Sequence, residues 1–490
     1  MELPPLSNAY DAIAYEGHAY AQTHPDRLAT QAVLFGLCPA PPARCRVLEL
    51  GCGDGGNLIP MALGLPRAEF FGVDLAAEPV ARGAALAREL GATNLRLLEG
   101  DLQKLPDELG QCDYVIAHGV YSWVPPAARD ALLAACARLL APHGVAFVSY
   151  NAYPGSYLRD AARDLLRFHV AHEPDPERQM EQAGALMSLI VRAGRASPHA
   201  RALAEHLESM LARPRWVVFH DELADVNTPV YFHEFVAHAR SHGLEFLAES
   251  HLADSQLLDL PADVAAELHR LPDDVVLREQ YIDFVANRLF RQTLLCRAEA
   301  PIRRELRAMD LQDLWVAAAV RTDGAAAALD GSDRVRFELA HGEEIETDDP
   351  QLKQALARLG RAWPRCIRFA DLAGTTPQRL GEALLGAHSE RLVDLHVHPP
   401  AATPAGERPV AAPLARRQAA EGSALVTSLR HSPVRVDDDL GRRLLTRLDG
   451  TRDRAALADE LRRADPAAAD VPAVLEAALH QLGRLSLLAA

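Results

Sequence analysis

Short apolar strands alternating with amphipathic helices, four glycines packed behind the first strand, and acids closing the second and third strands predict an α/β fold with a doubly wound, Rossmann-like sheet. The strand "RVLEL" (46–50) runs into the glycine turn, and a short helix starts at Asn57. "AEFFGVDL" (68–75) is the second strand, followed by the helix "EPVARGAALARELG" (78–91). "NLRLLEGDL" (94–102) is the third strand. "CDYVIAHGV" (112–120) is the fourth, with the helix "PAARDALLAACARLLAPHG" (126–144) behind it, and "VAFVSYN" (145–151) is the fifth. Ligands of such sheets bind beyond the carboxyl ends of the strands, so the residues ending each strand matter most.

The rhythm then breaks. Residues 156–213 read as about three amphipathic helices with no strand among them, so their apolar stripes have no sheet face to cover. Alternation returns with the helix "YFHEFVAHARSHG" (231–243) and the strands "LEFLAES" (244–250) and "RLFRQTLLCRAE" (288–299), the late strands of the same seven-stranded sheet. The first domain is thus discontinuous, 1–155 plus 216–300, with 156–215 as a helical insertion. A hairpin in "DRVRFELAHGEEIET" (333–347) and a helix running into a strand in "PQRLGEALLGAHSERLVDLHV" (377–397) predict an α+β middle domain over 301–398. Five prolines and many alanines mark 399–422 as a linker. Residues 423–490 run strand, three helices, strand, a small winged-helix-like domain.

A net charge of −16 argues against broad nucleic-acid or anionic-membrane binding. Seven cysteines with no C-x-x-C pair read as reduced thiols, which points to the cytoplasm rather than a disulfide framework or a metal site. The start "MELPPLSNAYDAIAYEGH" has acids and prolines where a signal peptide needs a basic start and an apolar core, and no apolar run approaches the ~18 residues of a membrane helix.

Gly51, Gly53 and Gly56 satisfy the dinucleotide pattern G-x-G-x-x-G, a weak signal alone. Glu49, Gly51, Gly53 and Gly55 also fit the E/D-x-G-x-G-x-G loop of S-adenosylmethionine (SAM) enzymes, and the surroundings favour this reading. Glycines let backbone approach the methionine end of the cofactor, and the helix N-terminus behind Asn57 suits its carboxylate. Glu49 or Asp54 can face its ammonium. Asp74, with Leu75 next to it, ends the second strand where an acid accepts both ribose hydroxyls. Asp101 ends the third, placed for the adenine amino group, with the Leu102 amide beside the ring. Cys52 and His118 complete the expected cofactor set, and no metal is expected. Each acid taken alone reads as a cap or turn residue; together and in order they point to SAM.

The acceptor channel is expected after strands four and five: His118, Tyr121 and Trp123 in "AHGVYSWVP", and Tyr150, Asn151 and Tyr153 in "SYNAYPG". His118, Tyr121, Trp123, Asn151 and Tyr153 are the catalytic candidates. Aromatic faces suit a sulfonium or a lysine ammonium. The D/N-P-P-Y motif of many amine and amide methyltransferases is absent after strand four.

"THPDRLATQAVLFGL", "VLELGCGDGGNLIPMA", "HGVYSWVP" and "SYNAYPG" resemble the class I methyltransferase family that includes the rickettsial protein-lysine methyltransferases of outer-membrane protein B. "HDELADVNTPVYFHEF" resembles that family's methyltransferase regulatory region, and "SLRHSPVRVDDDLGRRLLTRLDGTRDRAAL" its C-terminal winged helix. The resemblance implies a SAM-binding domain, a dimerising helical insertion, a homodimer and protein lysine side chains as substrate. A small-molecule N- or O-methyltransferase and a SAM-binding regulatory or scaffold protein are the competing readings.

Three further motifs read as structural. In "HEFVAH", His233 and His238 are five apart and point about 140° apart on a helix, so they cannot share a metal from one face. "DLHVH" puts Asp394, His396 and His398 on one face of a strand, read as a surface strand, and "FHVAH" (His169, His172) lies on the insertion. From 430 to 490, ten arginines meet ten acids, so the winged helix lacks the basic footprint of DNA binding.

Overall fold

The chain's first seven strands are β1 (Arg46–Leu50), β2 (Glu69–Asp74), β3 (Leu95–Glu99), β4 (Cys112–Ala117), β5 (Leu140–Asn151), β6 (Leu244–Glu249) and β7 (Phe290–Arg297). They form one sheet in the order β3-β2-β1-β4-β5-β7-β6. The computed structural model describes residues 17–194, 197–255, 261–268, 270–322, 329–339, 342–374, 376–464 and 470–489. The reading of residues 1–16 as unlike a signal peptide lies outside them.

β1 to β5 are parallel, as alternation requires, but β7 runs antiparallel to both β5 and β6. The doubly wound sheet is therefore mixed at this edge. The chain leaving β6 passes through the helices Ala262–Leu268 and Val275–Ala286 and re-enters the sheet at the same carboxyl ends, placing Phe290 opposite Asn151, so no crossover to the other end of the sheet is needed. Apart from the edge strand β3, the strands are largely buried on both faces. One face packs Leu48, Val115, Tyr121 and Tyr150 under Phe232 and Phe235 of the helix Phe232–Ser241. The other packs Val47, Tyr114 and Phe147 under Leu28 and Ile59.

The insertion is three helices, Ser156–Val170, Pro176–Ala193 and Pro198–Leu211. Their stripes pack on one another, with Ala162, Leu166, Met180, Met187, Leu207 and Met210 in a core of their own. The premise that they lack a partner is corrected here: mutual packing covers most of them, although Phe168 stays 85% exposed and Leu189 53% exposed.

The middle block holds a three-stranded antiparallel sheet with the hairpin Val335–Leu339 and Glu344–Thr347, a second small sheet around Trp315–Ala317, and the helices Pro350–Ala362 and Pro377–Ser389. Residues 399–422 are not a bare linker. Pro413–Ala420 is helical, with Pro413 at its first turn, and Val410–Ala411 pairs with Leu488–Ala489. The C-terminal block adds the helices Asp439–Leu445, Arg454–Ala464 and Val471–Arg484 and the hairpin Leu425–Thr427 to Pro433–Arg435.

Candidate cofactor and acceptor site

The glycine loop leaves β1 and crosses the end of β2. The Gly51 and Cys52 amides donate to the Val73 carbonyl, and Gly55 N–H donates back to the Cys52 carbonyl. Gly51 has φ +74° and Gly55 φ +73°, conformations L-side chains resist. A methyl on Gly51 would lie 2.5 Å from Val120, and one on Gly55 2.8 Å from Leu97. Gly53 has open space around it, so the loop presents bare backbone on one side only.

Asp74 ties this loop to β2. Its Oδ2 accepts from the Gly53 amide at 2.8 Å and its Oδ1 from the Ala76 amide at 2.9 Å. The carboxylate is thereby oriented, with lone pairs left beside the exposed Leu75. Asp54 is used locally, with its Oδ1 accepting from the Gly56 amide at 3.0 Å. Asp101 caps the short turn holding Leu102, accepting from Gln103 N–H at 2.9 Å.

Glu49 carries the sharpest signal. Its side chain is buried, and burial raises its pKa to about 8; the Asn57 hydrogen bond opposes this, and Asp74 and Asp54 add to it. Oε1 accepts from Asn57 Nδ2 at 2.8 Å, while Oε2 is buried with no hydrogen-bond partner among the described residues. An orphaned carboxylate oxygen beside a bare glycine loop fits an ammonium, and the loop's backbone fits the methionine end of SAM. Between the two acids left open by sequence, the buried and underused Glu49 is the better match. Asn57 also accepts from the Tyr20 amide at 3.1 Å and lies 2.8 Å from His431 Nε2.

His118 ends β4. Its Nδ1 lies 2.9 Å from Ser149 Oγ, and its ring packs against Tyr20, Phe147 and Phe290. Burial pushes its pKa down to about 4, so the imidazole is neutral at pH 7 and a weak base.

The remaining channel candidates divide. Tyr121 and Tyr150 stand apart from the others: Tyr121 packs on Tyr150 and Phe235 in the opposite face of the sheet, and its hydroxyl is 2.8 Å from His238 Nδ1. A ring following β4 turns under the helix Phe232–Ser241 because that face is where the aromatic core lies. Trp123 lies under the Arg159 and Arg163 guanidiniums, 5.4 and 5.8 Å from its ring, so its cation-binding face is already taken. Asn151 Oδ1 accepts from Arg159 at 3.2 Å and its Nδ2 donates to Asn227 Oδ1 at 2.7 Å, so its carbonyl is occupied too.

Tyr153 is differently placed. Its ring stacks on Tyr157 at 4.3 Å and lies 5.4 Å from Tyr231, the Tyr157 and Tyr231 hydroxyls meet at 3.0 Å, and Tyr153 donates to Asp160 Oδ2 at 2.8 Å. Burial, then the Asp160 carboxylate, raises the Tyr153 pKa. The result is a half-open aromatic wall ending in an acid, just past the carboxyl end of β5. Tyr157 and Asp160 follow the cis Tyr153–Pro154 bond into the insertion's first helix, and Tyr231 comes from the segment 227–231 that runs beside Ala152.

Sequence reading missed Tyr157, Asp160, Asn227 and Tyr231. Their spacing was visible, but the fold of the insertion over β5 was not. It also missed that His238 and His242, four apart in "HARSHG", share one face with Asp130 Oδ1 at 3.3 and 2.8 Å. "DLHVH" is a correction as well. His396 is buried, its Nδ1 2.6 Å from Asp26 Oδ2, at the seam between the sheet domain and the middle block rather than on a surface strand.

Comparisons with known proteins converge on this site. A family model described as a methyltransferase domain matches residues 47–144, one described as a predicted methyltransferase regulatory domain matches 214–297, and one described as the PKMT C-terminal winged helix domain matches 407–468. The regulatory match supplies β6 and β7 of the sheet. An uncharacterized Rickettsia prowazekii protein, RP789, is 29% identical over 93% of this chain and 85% of its own. A second from that organism, RP028, is 31% identical over 49% of this chain and 96% of its own. The structure of PKMT2 from Rickettsia typhi superposes with a TM-score of 0.86 at 26% identity, covering 97% of this chain and 100% of that one. The same protein in complex with AdoHcy gives 0.86 at 25% identity, covering 97% and 99%. The chain therefore belongs to the class I SAM-dependent methyltransferases that carry a methyltransferase regulatory region and a PKMT-type C-terminal winged helix.

Proposed function

We propose that this methyltransferase modifies lysine side chains of proteins, and that the wall of Tyr153, Tyr157 and Tyr231 closed by Asp160 receives the lysine. That wall is the observation that carries the reading. Its aromatic faces match the aliphatic stem and ammonium of a lysine, and Asp160, with one oxygen engaged by Tyr153, keeps acceptor capacity for the ammonium hydrogens. SAM, when bound, supplies a methyl group activated by its sulfonium. Glu49 would hold its ammonium, the loop from Gly51 through Cys52, Gly53 and Asp54 to Asn57 its methionine end, Asp74 with Leu75 its ribose, and Asp101, Leu102 and His118 its adenine and channel side.

A lysine amine has a reference pKa near 10.4 and must arrive uncharged. Withdrawal of water by the aromatic wall disfavours its charged form, which opposes the attraction of Asp160 and the ring faces for the ammonium. Tyr121, Trp123 and Asn151 act here through packing and hydrogen bonding that hold the wall's supports.

The domain division read above accompanies this proposal, with the insertion as the contact surface of a homodimer. Its support is the exposed Phe168 and Leu189 together with Leu211. Seven unpaired cysteines, five of them buried, support the cytoplasm. Among the described residues, no helix is long and apolar enough to cross a membrane.

Labelled SAM incubated with native and denatured lysate tests the reading. Label in protein bands, mapped to lysine, supports it. Label confined to small molecules, or binding without turnover, overturns it.

A further inference from the structure

We propose that His431, in the turn of the C-terminal winged helix's hairpin, is a positioning residue of the cofactor site, so that the winged helix is a working part of SAM binding. The proposal rests on Glu49 as the partner of the cofactor's ammonium and is independent of the acceptor.

The hairpin strands Leu425–Thr427 and Pro433–Arg435 are joined by a tight turn in which the His431 amide donates to the Ser428 carbonyl and His431 takes φ +58°. Left-handed backbone is unfavourable for a residue with a side chain and persists where surrounding contacts over-determine it. Here the turn is wedged into the seam. Arg430 reaches the Pro364 carbonyl at 3.0 Å and stacks on Trp363 at 4.1 Å, anchoring the turn to the middle block. His431 points the other way, and its Nε2 stands 2.8 Å from Asn57 Oδ1, with both side chains about 4% exposed.

The Tyr20 amide sets how the Asn57 carboxamide is turned, and the His431 contact reinforces that setting. The carboxamide oxygen accepts from the Tyr20 amide at 3.1 Å, and its nitrogen donates to Glu49 Oε1 at 2.8 Å and Thr23 Oγ at 3.0 Å. With the amide reversed, its NH2 would face the Tyr20 N–H, and its carbonyl would face the Glu49 carboxylate. The imidazole is neutral, because burial, then neighbouring His24, lowers its pKa well below 6.5. It therefore has one N–H, and an acceptor at 2.8 Å requires that hydrogen on Nε2. His431 and Tyr20 together hold the carbonyl outward, so the NH2 serves Glu49 Oε1 and Oε2 is left for the ligand. Without the imidazole, the Asn57 carbonyl loses one of its donors, and the amide more readily takes the orientation that repels the ionised Glu49 of the ligand-bound state.

Calorimetric binding of S-adenosylhomocysteine to full-length protein tests this, with a thermal melt on each variant. His431→Ala should weaken binding about tenfold, the order of one buried hydrogen bond with its orphaned partner. His431→Gln and His431→Leu both fill the pocket and differ in the N–H; Gln should bind within about threefold of wild type and Leu about tenfold weaker, a contrast that stands even if the alanine variant does not fold. In an Asn57→Ala background the His431→Ala loss should fall below about twofold, because the residue acts through that amide. Equal affinity of the Gln and Leu variants, or an undiminished loss without Asn57, overturns the proposal. Glu49→Gln reports separately: wild-type affinity there would remove the reading of Glu49 itself.

Discussion

Cofactor binding should carry the signature of Glu49. In the free protein burial raises this carboxyl to about 8 from an ordinary 4.5, so at pH 7 it is mostly protonated. An ammonium pairs with the carboxylate, so binding near neutrality expels a proton. Well below the folded pKa each pH unit then lowers affinity by about tenfold; from pH 6 to pH 8 the Glu49 titration alone gives a rise of about fiftyfold, and the ligand's own titration reduces it to about twentyfold. Above pH 8 the trend reverses, because an α-amino group has a reference pKa of about 7.7–8.0 and the ligand loses its own charge. Calorimetry from pH 6 to pH 9 in two buffers of different ionisation enthalpy reads both limbs, and the apparent enthalpy at pH 7 should differ by close to one proton's worth. Glu49→Gln should flatten the acidic limb. The sign for stability also follows. The folded form binds this proton more tightly than the unfolded form, so its contribution is full below pH 4.5 and is lost as pH rises through about 8. The ligand-free protein should lose a few kcal/mol across that window, and saturating cofactor should restore it. An affinity flat from pH 6 to pH 8 with no buffer dependence would refute the reasoning.

Four other perturbations separate the parts of the molecule. Asp74→Ala removes an acceptor that also clamps Gly53 and Ala76, and SAM binding should weaken by about 1.5–3 kcal/mol in the same calorimeter. Tyr153→Phe should lower turnover with SAM affinity nearly intact, since its hydroxyl serves Asp160 and not the glycine loop; full turnover on the true substrate would sink the aromatic-wall reading. Arg291 is fully buried among Glu249, Glu279 and Asp283 at 2.7–3.0 Å, so Arg291→Met should destabilise by about 3–5 kcal/mol in urea by leaving Glu249 and Glu279 uncompensated, Asp283 keeping Arg288. Light scattering at micromolar concentration should show a dimer that Phe168→Glu converts to a monomer; a monomeric wild type defeats the insertion as an interface.

What sequence makes legible here is local. Strand ends and glycine spacing are short-range patterns, and "VLELGCGDGGN" displays the loop, Glu49 and Asn57 together because eight residues separate the two partners. Asp74 is legible for the same reason, at the end of an obvious strand. The orientation of Asn57 is not, since its partner His431 lies 374 positions away and nothing near either residue marks it. Tyr121 and Trp123 were assigned by position after β4, which sets a residue's location along the sheet but not the face it turns to. The same limit hid the burial of His396, whose period-two pattern in "DLHVH" is that of an edge strand and whose partner Asp26 belongs to another domain. Helix periodicity revealed the apolar stripes of the insertion but not that three of them would satisfy one another.

The position of β7 between β5 and β6 also bears on how this chain is made. β5 is completed at Asn151, but the strand that covers its free side is not finished until Arg297. At about 5–20 residues per second, the nascent sheet therefore exposes the edge of "VAFVSY" for roughly 7–30 seconds. That edge is long, apolar and lined with unpaired amides, a template for pairing with a neighbouring chain on a crowded ribosome. The segment emerging in the interval is the three-helix insertion, which has its own core and can fold before β7 exists. It stands directly after the open strand in the chain, so it completes itself while that edge is still unpaired. Chains cut between 211 and 290 keep the insertion and lose the closing strand, and their aggregation relative to chains cut after 300 measures how much the open edge costs.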